Sequence, residues 1–495
     1  MSIKTVVTAP IHAVKNGLDT YSDILERSRF HYGALFPSPS LTLVVVLALF
    51  TPLFFHLFMP LWLFFLMVPY LITWSMYLVL AQHKNPNRPK ILGIALPALP
   101  LSPTRVFNVT HSFFRYITDN VYGPPREVFQ LYVKNLWGAK LKLTQSHVKV
   151  GKNVTYGSRN EKMKLDVYES KIEEMDHVSH ISNNDEKRPV ILFIYGGAWN
   201  SGSKDLYAPV ALSLTGLGFV VVIPDYSHWP NATPELMVDD VQAAMAWTLK
   251  NIKKYGGDSR NVTVLAHASG AHLCTTAILK NAKLCADYHS KEMENGTDSD
   301  DIARNPNAPR LHRILGLILI SGVYDINTHY EFEKLRGTEE LSCMSRLFES
   351  NSTSYNKWSP TALLREYGKS MDLKLLLPHI PHNWLLIHGH RDEIAPFESS
   401  VNFEAELQSI GIDNLQLKTY EESCHSKLIY DLFLPNRHEM YRVLEQYYKD
   451  SRDLSRYQRW VAIEKKKKNA RIASFHQFQY QHSDIAAARE EPLGR

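Results

Sequence analysis

Hydrophobic positions are unevenly distributed along this chain, and their densest cluster lies near its start. Residues 41–82 contain no Asp, Glu, Lys or Arg. Leu41–Phe58 and Leu61–Ala81 each approach the length of about 20 residues at which a helix spans a bilayer, and Pro60 separates them. This pattern predicts a transmembrane helical hairpin over 41–82, preceded by an N-terminal segment over 1–40.

Short apolar runs alternate with amphipathic stretches from residue 141 to residue 450. We predict strands at Leu143–Val150, Leu165–Val167, Val190–Tyr195, Phe219–Pro224, Val262–Ala266, Ile314–Ile320, Trp384–His388 and Leu415–Tyr420. Several of these runs are continuous Val, Ile and Leu, which is typical of strands buried on both faces. Helical periodicity lies between them, as at Pro234–Lys254, where Asp239 and Asp240 are expected on the exposed face. The alternation predicts a mostly parallel, doubly wound α/β sheet over 141–450.

The remaining regions differ in composition. Residues 83–140 are rich in aromatic side chains and predict either a packed linker or a cap that admits substrate to a neighbouring site. Residues 451–495 hold ten Lys and Arg against five Asp and Glu, which predicts a basic, partly disordered tail. The net charge of the whole chain is +5, so this tail accounts for it and the rest is near neutral. That balance argues against a nucleic-acid-binding face.

Cysteine spacing gives no sign of a metal site or of a disulfide framework. The four cysteines are Cys274, Cys285, Cys343 and Cys424. Since no other spacing implies a metal or an organic cofactor, we expect neither.

Basic residues flank the apolar segment on both sides, at Arg27 and Arg29 before it and at Lys84, Arg88 and Lys90 after it. Under the positive-inside rule, a hairpin with two basic flanks leaves the following domain in the cytosol. Six Asn-x-Ser/Thr sequons oppose this side, because glycosylation requires a lumenal domain. They lie at Asn108, Asn153, Asn231, Asn261, Asn295 and Asn351. The sequence therefore predicts a multi-pass protein of an endoplasmic-reticulum-type membrane and leaves its side, and its glycosylation, open.

Residues 266–272 follow a predicted buried strand and precede a predicted helix, which is the context of a nucleophile elbow. The strained turn of an elbow requires the pattern small–x–Ser–x–Gly. Here the frame from Ala266 to Gly270 has Ala268 at its centre, and the serine follows at Ser269. Ala268 thus occupies the flush nucleophile position.

Three further groups lie where a serine hydrolase needs them. Gly196 and Gly197 follow the third strand and predict an oxyanion hole built from backbone N–H groups. Asp392 follows the penultimate strand and His425 the last, so the chain order is nucleophile, acid, histidine. We expect His425 to act as general base and then general acid, with Asp392 orienting its ring.

These residues resemble the prenylcysteine methylesterase branch of the esterase/lipase α/β hydrolases and, more distantly, the kynurenine formamidases. The resemblance of the hydrolase region covers about 140–445. A membrane anchor that precedes this region also resembles that branch. The resemblance is carried, besides Asp392 and His425, by residues 194–199 (Ile-Tyr-Gly-Gly-Ala-Trp), 255–258 (Tyr-Gly-Gly-Asp), 269–272 (Ser-Gly-Ala-His), 321–325 (Ser-Gly-Val-Tyr-Asp) and 358–360 (Trp-Ser-Pro). It implies an α/β-hydrolase fold and hydrolysis of a small-molecule or lipid ester, such as a prenylcysteine methyl ester, through a serine acyl-enzyme.

The chain departs from that family at the elbow, where the family has Gly-Gln-Ser-Ala-Gly-Ala-His and the gapless alignment places Ala268 on the family's serine. Two interpretations remain open. In the first, the turn shifts by one residue, and Ser269, Asp392 and His425 form the triad of an ester hydrolase, although His267 is bulky for a strained turn. In the second, the protein is a pseudoenzyme that binds a lipid or a protein partner, because loss of the nucleophile costs about 10⁶ in rate.

Overall fold

A computed structural model describes most of the region from residue 148 to residue 450 and part of the N-terminal region. The described residues are 51, 59, 63–80, 90–91, 94–95, 99–119, 148–171, 187–294, 309–349, 351–433, 439–447 and 449–450. Contacts divide the chain into two units, Met1–Ile72 and Thr73–Arg495. The predicted segment 1–40 and tail 451–495 lie outside the described residues, as does Leu41–Phe58 apart from residue 51.

The centre of the second unit is an eight-stranded sheet. Its strands are β1 (Val148–Thr155), β2 (Lys164–Ser170), β3 (Arg188–Ile194), β4 (Val220–Pro224), β5 (Gly257–His267), β6 (Gly316–Ile320), β7 (Asn383–Gly389) and β8 (Leu415–Tyr420). The spatial order is β8-β7-β6-β5-β3-β4-β2-β1. Strands β3 to β8 pair in parallel, whereas β1 pairs antiparallel with β2, and β2 with β4. This is the sheet of an α/β hydrolase, as the sequence predicted.

Burial explains why the central strands are continuously apolar. Every residue of β4 and β6 is buried, and so is all of β3 after its first residue. Both faces of these strands are therefore covered, and alternating polar positions would place unpaired groups in the core. The edge strands β1 and β8 alternate between partly buried and exposed positions, consistent with their place in the sheet.

Helices occupy most of the connections between the strands. The described helices are α1 (Leu63–Leu80), α2 (Pro103–Ile117), α3 (Ala208–Gly216), α4 (Pro234–Asn251), α5 (Ser269–Glu294), α6 (Ile326–Leu335), α7 (Met344–Leu347), α8 (Ser352–Trp358), α9 (Pro360–Ser370), α10 (Leu373–Leu376), α11 (Phe397–Ser409) and α12 (Lys427–Tyr430). Short 3₁₀ segments lie at Ile252–Tyr255, Leu311–Arg313 and Leu377–His379, a two-residue strand pair joins Lys90–Ile91 to Ile94–Ala95, and residues 439–447 are helical.

Within the described residues, one helix is long and apolar enough to span a membrane. Helix α1 corresponds to the second predicted segment, Leu61–Ala81, and its mean hydropathy is 1.9. The first arm of the predicted hairpin falls almost wholly outside the described residues, so the hairpin stays a prediction.

Two local expectations differ from the structure, and burial decides one question that the sequence left open. Strand β1 extends to Thr155, five residues beyond the predicted end, because Val154 and Thr155 continue to pair with β2. Asp240, expected on the exposed face of α4, is fully buried, since its carboxylate accepts hydrogen bonds from the backbone N–H and the hydroxyl of Ser227. Asn261 is also buried, which is incompatible with glycosylation of that sequon in the folded protein.

Candidate active site

A tight turn joins β5 to α5 at the carboxyl edge of the sheet. Strand β5 ends at His267 and α5 begins at Ser269, leaving Ala268 alone between them. Ala268 has a left-handed backbone with φ of 51°, a conformation that costs energy for any residue with a side chain. Its N–H donates to the carbonyl of Ile320 at 3.0 Å, which fixes the turn to β6. Ala268 therefore lies at the apex of the strand–turn–helix, where an elbow holds its nucleophile.

Two glycines permit the close packing of this turn. A Cβ on Gly270 would lie 2.3 Å from the carbonyl oxygen of Tyr195 and 2.4 Å from that of Ile194. A Cβ on Gly196 would lie 2.8 Å from the Cβ of Ala268. The first turn of α5 thus packs directly on the backbone at the end of β3, which requires glycine at both positions.

The Ser269 side chain is directed toward residues 196–199 after β3, called here the glycine loop. Its Oγ accepts a hydrogen bond from the backbone N–H of Gly197 at 3.0 Å, and Ser269 is 2% exposed. Burial raises the pKa of the neighbouring Tyr226, and a side-chain hydrogen bond with Ser269 acts in the opposite direction. The hydroxyl therefore occupies one of the N–H groups predicted to form the oxyanion hole.

The glycine loop itself is held in an unusual backbone conformation. Ala198 and Trp199 have φ of 49° and 61°, and the carbonyl of Gly197 accepts from the N–H groups of Asn200 and Ser201 at 3.1 Å each. The hydroxyl of Tyr207 donates to the carbonyl of Gly196 at 3.3 Å. Strain and these bonds together fix the direction of the loop N–H groups, as an oxyanion hole requires.

His272 connects the loop to α5, a role that the sequence did not reveal. Its Nδ1 accepts from the indole N–H of Trp199 at 3.1 Å, and its Nε2 donates to the carbonyl of Trp358 at 2.7 Å. Burial lowers the pKa of His272 to about 4, so the ring is neutral at physiological pH. The signal for this role in the sequence was the position of His272 in the Ser-Gly-Ala-His segment at 269–272.

Asp392 and His425, the predicted acid and base, lie together. The Nδ1 of His425 donates to Oδ2 of Asp392 at 2.7 Å, and Oδ1 of Asp392 accepts from the backbone N–H groups of Ile394 and Ala395 at 2.8 Å each. Burial alone would raise the pKa of the Asp392 carboxyl. The neighbouring His425 and the hydrogen bonds from His388 and His425 outweigh it and hold that pKa well below its usual range.

His388 is a second partner of Asp392 that sequence reasoning missed. Its Nε2 lies 3.1 Å from Oδ2 of Asp392, and its Nδ1 accepts from the hydroxyl of Ser400 at 2.7 Å. With both nitrogens engaged, the fully buried ring fixes the carboxylate and leaves the other lone pairs for His425. The spacing of four residues from His388 to Asp392 was visible in the sequence but pointed only to a strand end.

His267 packs beneath the predicted base. Its ring lies 4.9 Å from that of His425, and its Nε2 is 3.3 Å from the backbone carbonyl of His425. Burial, followed by the charge of His425, lowers the pKa of His267 to about 3, so this ring is also neutral. The bulky side chain of His267, which argued against a shifted turn, is thus accommodated against the ring and the backbone of His425.

The structure brings Ala268, Asp392 and His425 to the carboxyl ends of β5, β7 and β8, and it directs the Ser269 hydroxyl to Gly197 instead. Among the described residues, no cluster of three or more His, Cys, Asp or Glu side chains is arranged to hold a metal ion. The geometry provides an imidazole oriented by a buried carboxylate, together with a glycine loop whose backbone N–H group at Gly197 is available to an acceptor.

Comparisons with known proteins agree with this geometry. The BD-FAE family model matches residues 177–407. Isoprenylcysteine alpha-carbonyl methylesterase ICME of Arabidopsis thaliana is 28% identical over 255 residues, covering 51% of this chain and 53% of the relative. The chain is similar to the isoprenylcysteine methylesterases. The resemblance predicted from the sequence is confirmed.

Further relatives are esterases of bacterial origin. Esterase LipQ of Mycobacterium tuberculosis is 25% identical over 256 residues, covering 51% of this chain and 53% of that protein. The crystal structure of esterase B from Lactobacillus rhamnosis has a TM-score of 0.48 at 14% identity, covering 72% of this chain and 98% of the other. The chain spans about half the length of the curated relatives it matches.

Proposed function

We propose that this protein is a carboxylic ester hydrolase whose proton-transfer pair is His425 and Asp392. The observation that carries the proposal is the 2.7 Å hydrogen bond from Nδ1 of His425 to the buried Asp392 carboxylate. That bond leaves Nε2 as the basic nitrogen, and the negative carboxylate stabilises the imidazolium that forms on proton uptake. The similarity to esterases supports the same chemistry.

The steps follow from this geometry. Nε2 of His425 takes a proton from the attacking hydroxyl, and the carbonyl oxygen of the ester gains negative charge. In this proposal the N–H groups of Gly196 and Gly197 stabilise that charge, each worth about 10²–10³ in rate. His425 then returns the proton to the departing alcohol, which leaves the acyl group on the attacking oxygen. A water molecule, deprotonated by the same Nε2, releases the carboxylic acid and restores the hydroxyl.

The attacking group in the acyl-enzyme route is Ser269. For this step its hydroxyl must leave the N–H of Gly197, which also frees that donor for the ester carbonyl. The route requires a local rearrangement of the turn, because Ser269 is the first residue of α5 and Ala268 stands at the apex.

A second function is the binding of an ester or lipid without turnover. The position of Ala268 at the apex of the turn favours it. A one-residue shift of the turn would bring Ala271 to the place of Gly270, where a Cβ lies 2.3 Å from the carbonyl oxygen of Tyr195. If the turn does not shift, Ala268 supplies no nucleophile, while the glycine loop and the His425–Asp392 pair persist as a binding site.

We further propose that α1 attaches the protein to a membrane and that the ester is lipid-like, of the prenylcysteine type. Helix α1 has the length and apolarity for this role. The names of the plant relatives refer to isoprenylcysteine methyl esters, which carry a hydrophobic prenyl chain. An endoplasmic-reticulum location with several membrane passes stays a prediction from the sequence.

The test is hydrolysis of a prenylcysteine methyl ester by detergent-solubilised full-length protein, together with labelling by a fluorophosphonate probe. We expect His425→Ala to lower the rate by about 10²–10⁴-fold, since it removes the general base. His390→Ala, an exposed histidine at the end of the neighbouring strand, is the matched control and should keep the rate.

The two functions give different outcomes. Hydrolysis and probe labelling that both disappear in Ser269→Ala support the acyl-enzyme route. A folded wild-type protein that binds the ester without hydrolysing it, and is not labelled, supports the second function. Hydrolysis that is unaffected by His425→Ala contradicts the proposed proton-transfer pair.

A further inference from the structure

Helix α2 has an aromatic outer face. Val106, Val109 and Thr110 form its buried side, whereas Phe107 and Phe114, two turns apart, are 67% and 52% exposed. Between them the exposed His111 stacks on Phe107 with a ring separation of 6.2 Å. A helix in water normally turns polar side chains outward, so this face is suited to a different environment.

Exposed apolar side chains also lie just before α2 and at the end of α1. Leu101, just before α2, is 75% exposed, and the last three residues of α1 (Leu78, Val79 and Leu80) are exposed as well. Two hydrogen bonds fix these parts together: the indole N–H of Trp74 donates to the carbonyl of Pro100, and the hydroxyl of Thr73 donates to that of Val106. The exposed apolar side chains of α2 and of the end of α1, two elements that these hydrogen bonds hold together, are called here the α2 face.

The cations of α2 are held against the protein instead of on this face. Arg105 pairs with Glu339 at 2.5 Å, and Arg115 pairs with Glu393 at 2.9 Å. Its exposed centre consequently consists of ring side chains and carries no Arg or Lys. Phe side chains on a helix that lies beside a long apolar helix match the boundary between lipid headgroups and acyl chains.

The C-terminal end of α2 also adjoins the candidate site. Glu393, the partner of Arg115, follows the acid Asp392 directly in the chain. Burial raises the pKa of Cys424, next to His425, and the negative charge of Asp119, just beyond α2, adds to this effect. The end of α2 thus lies near the two chain segments that carry Asp392 and His425.

We propose that the α2 face is a membrane-docking surface that lies at the headgroup–acyl boundary and holds the site beside the bilayer. Its occupant is the lipid surface, because hydrogen bonds hold α2 against the helix that has the length of a membrane span, and the exposed apolar end of that helix belongs to the same face. This inference rests on the proposed membrane attachment and deepens the proposed function, since it assigns the substrate to esters resident in the membrane.

The experiment is site-directed spin labelling of full-length protein in phosphatidylcholine vesicles. Single cysteines replace Phe107, Leu71 of α1 or Leu284 of α5, in a Cys424→Ser background because the other three cysteines are buried. Accessibility to oxygen, which concentrates in lipid, is compared with accessibility to a water-soluble nickel chelate. Leu284 is the matched control, an exposed leucine on a different helix of the hydrolase sheet.

We expect oxygen accessibility to dominate at positions 71 and 107 and nickel accessibility to dominate at position 284. Nickel accessibility at 107 together with oxygen accessibility at 71 overturns the α2 face while leaving membrane attachment intact. Shielding of position 107 from both reagents also overturns it, because a protein partner or a second copy then covers the face. Nickel accessibility at both 71 and 107 refutes this inference and membrane attachment together, and the hydrolysis test stands apart from all three outcomes.

Discussion

At the scale of single residues, Ala268 and Ser269 carry in reverse order the Ser-Ala pair that the related family has at its elbow. The backbone does not follow the serine. Ala268 keeps the left-handed apex, and Ser269 begins the helix with its hydroxyl on Gly197. The reason is steric. Gly270 packs against the carbonyls of Ile194 and Tyr195 and so fixes the turn, and the small side chain of Ala268 does not alter that packing.

This argument predicts the behaviour of Ala268→Ser. Under the second function, in which the wild type binds the ester without turnover, a hydroxymethyl group at the apex lies where an elbow presents its nucleophile. The variant should then gain fluorophosphonate labelling and a hydrolysis rate at least about 10³-fold above wild type. Adding Ser269→Ala frees the N–H of Gly197 and should raise the rate further. Adding His425→Ala instead should abolish the gain. Equal rates for wild type and Ala268→Ser would contradict the placement of Ala268 at the nucleophile position.

At the scale of elements, the site depends on how α5 meets β3. The N-terminal turn of α5 packs on backbone carbonyls, without a layer of side chains between them. The sequence pattern predicted β3, β5 and the helix after the elbow, because each of these elements shows its burial in the apolar pattern of its own residues. It did not predict the extension of β1 or the burial of Asp240, since both depend on a partner element elsewhere in the chain.

The contact predicts opposite effects for two glycine substitutions. Gly270→Ala should lower the free energy of unfolding by about 3 kcal/mol, because its Cβ meets backbone that has no room to retreat. Gly216→Ala, at the end of α3, meets nothing within 4 Å and should be neutral or stabilising by up to about 1 kcal/mol. Urea unfolding of both variants measures the difference, and equal stabilities would show that the α5–β3 contact is less tight than described.

At the scale of the whole molecule, buried histidines couple the fold to pH. Burial lowers the pKa of His228, His272 and His379 to about 4 and that of His267 to about 3. These rings stay neutral in the fold, while the unfolded chain takes up protons below pH 6.5. Stability is therefore lost as the pH falls from about 6.5 toward 4. The lowered pKa of Asp392 acts in the same direction at still lower pH, where its stabilising charge is lost.

His379 offers the clearest test of this acid sensitivity. Both of its ring nitrogens are buried without a hydrogen-bond partner among the described residues, so replacement by Phe removes a titrating group and no hydrogen bond. We expect His379→Phe to recover about 2 kcal/mol of the stability that the wild type loses between pH 7.5 and pH 5. The exposed His390→Phe is the control, and an unchanged acid loss in His379→Phe would argue against burial as the cause.

The sequence by itself determined the alternating sheet, the position of the glycine loop, and the acid and histidine at two strand ends, because each follows from local patterns of burial and chain order. Tertiary structure decided where the Ser269 hydroxyl points and what fixes Asp392. Gly197 lies 72 residues from Ser269 in the chain, and His425 lies 33 residues from Asp392. A hydrogen bond between such distant residues has no local signature, since its direction depends on how packed elements meet.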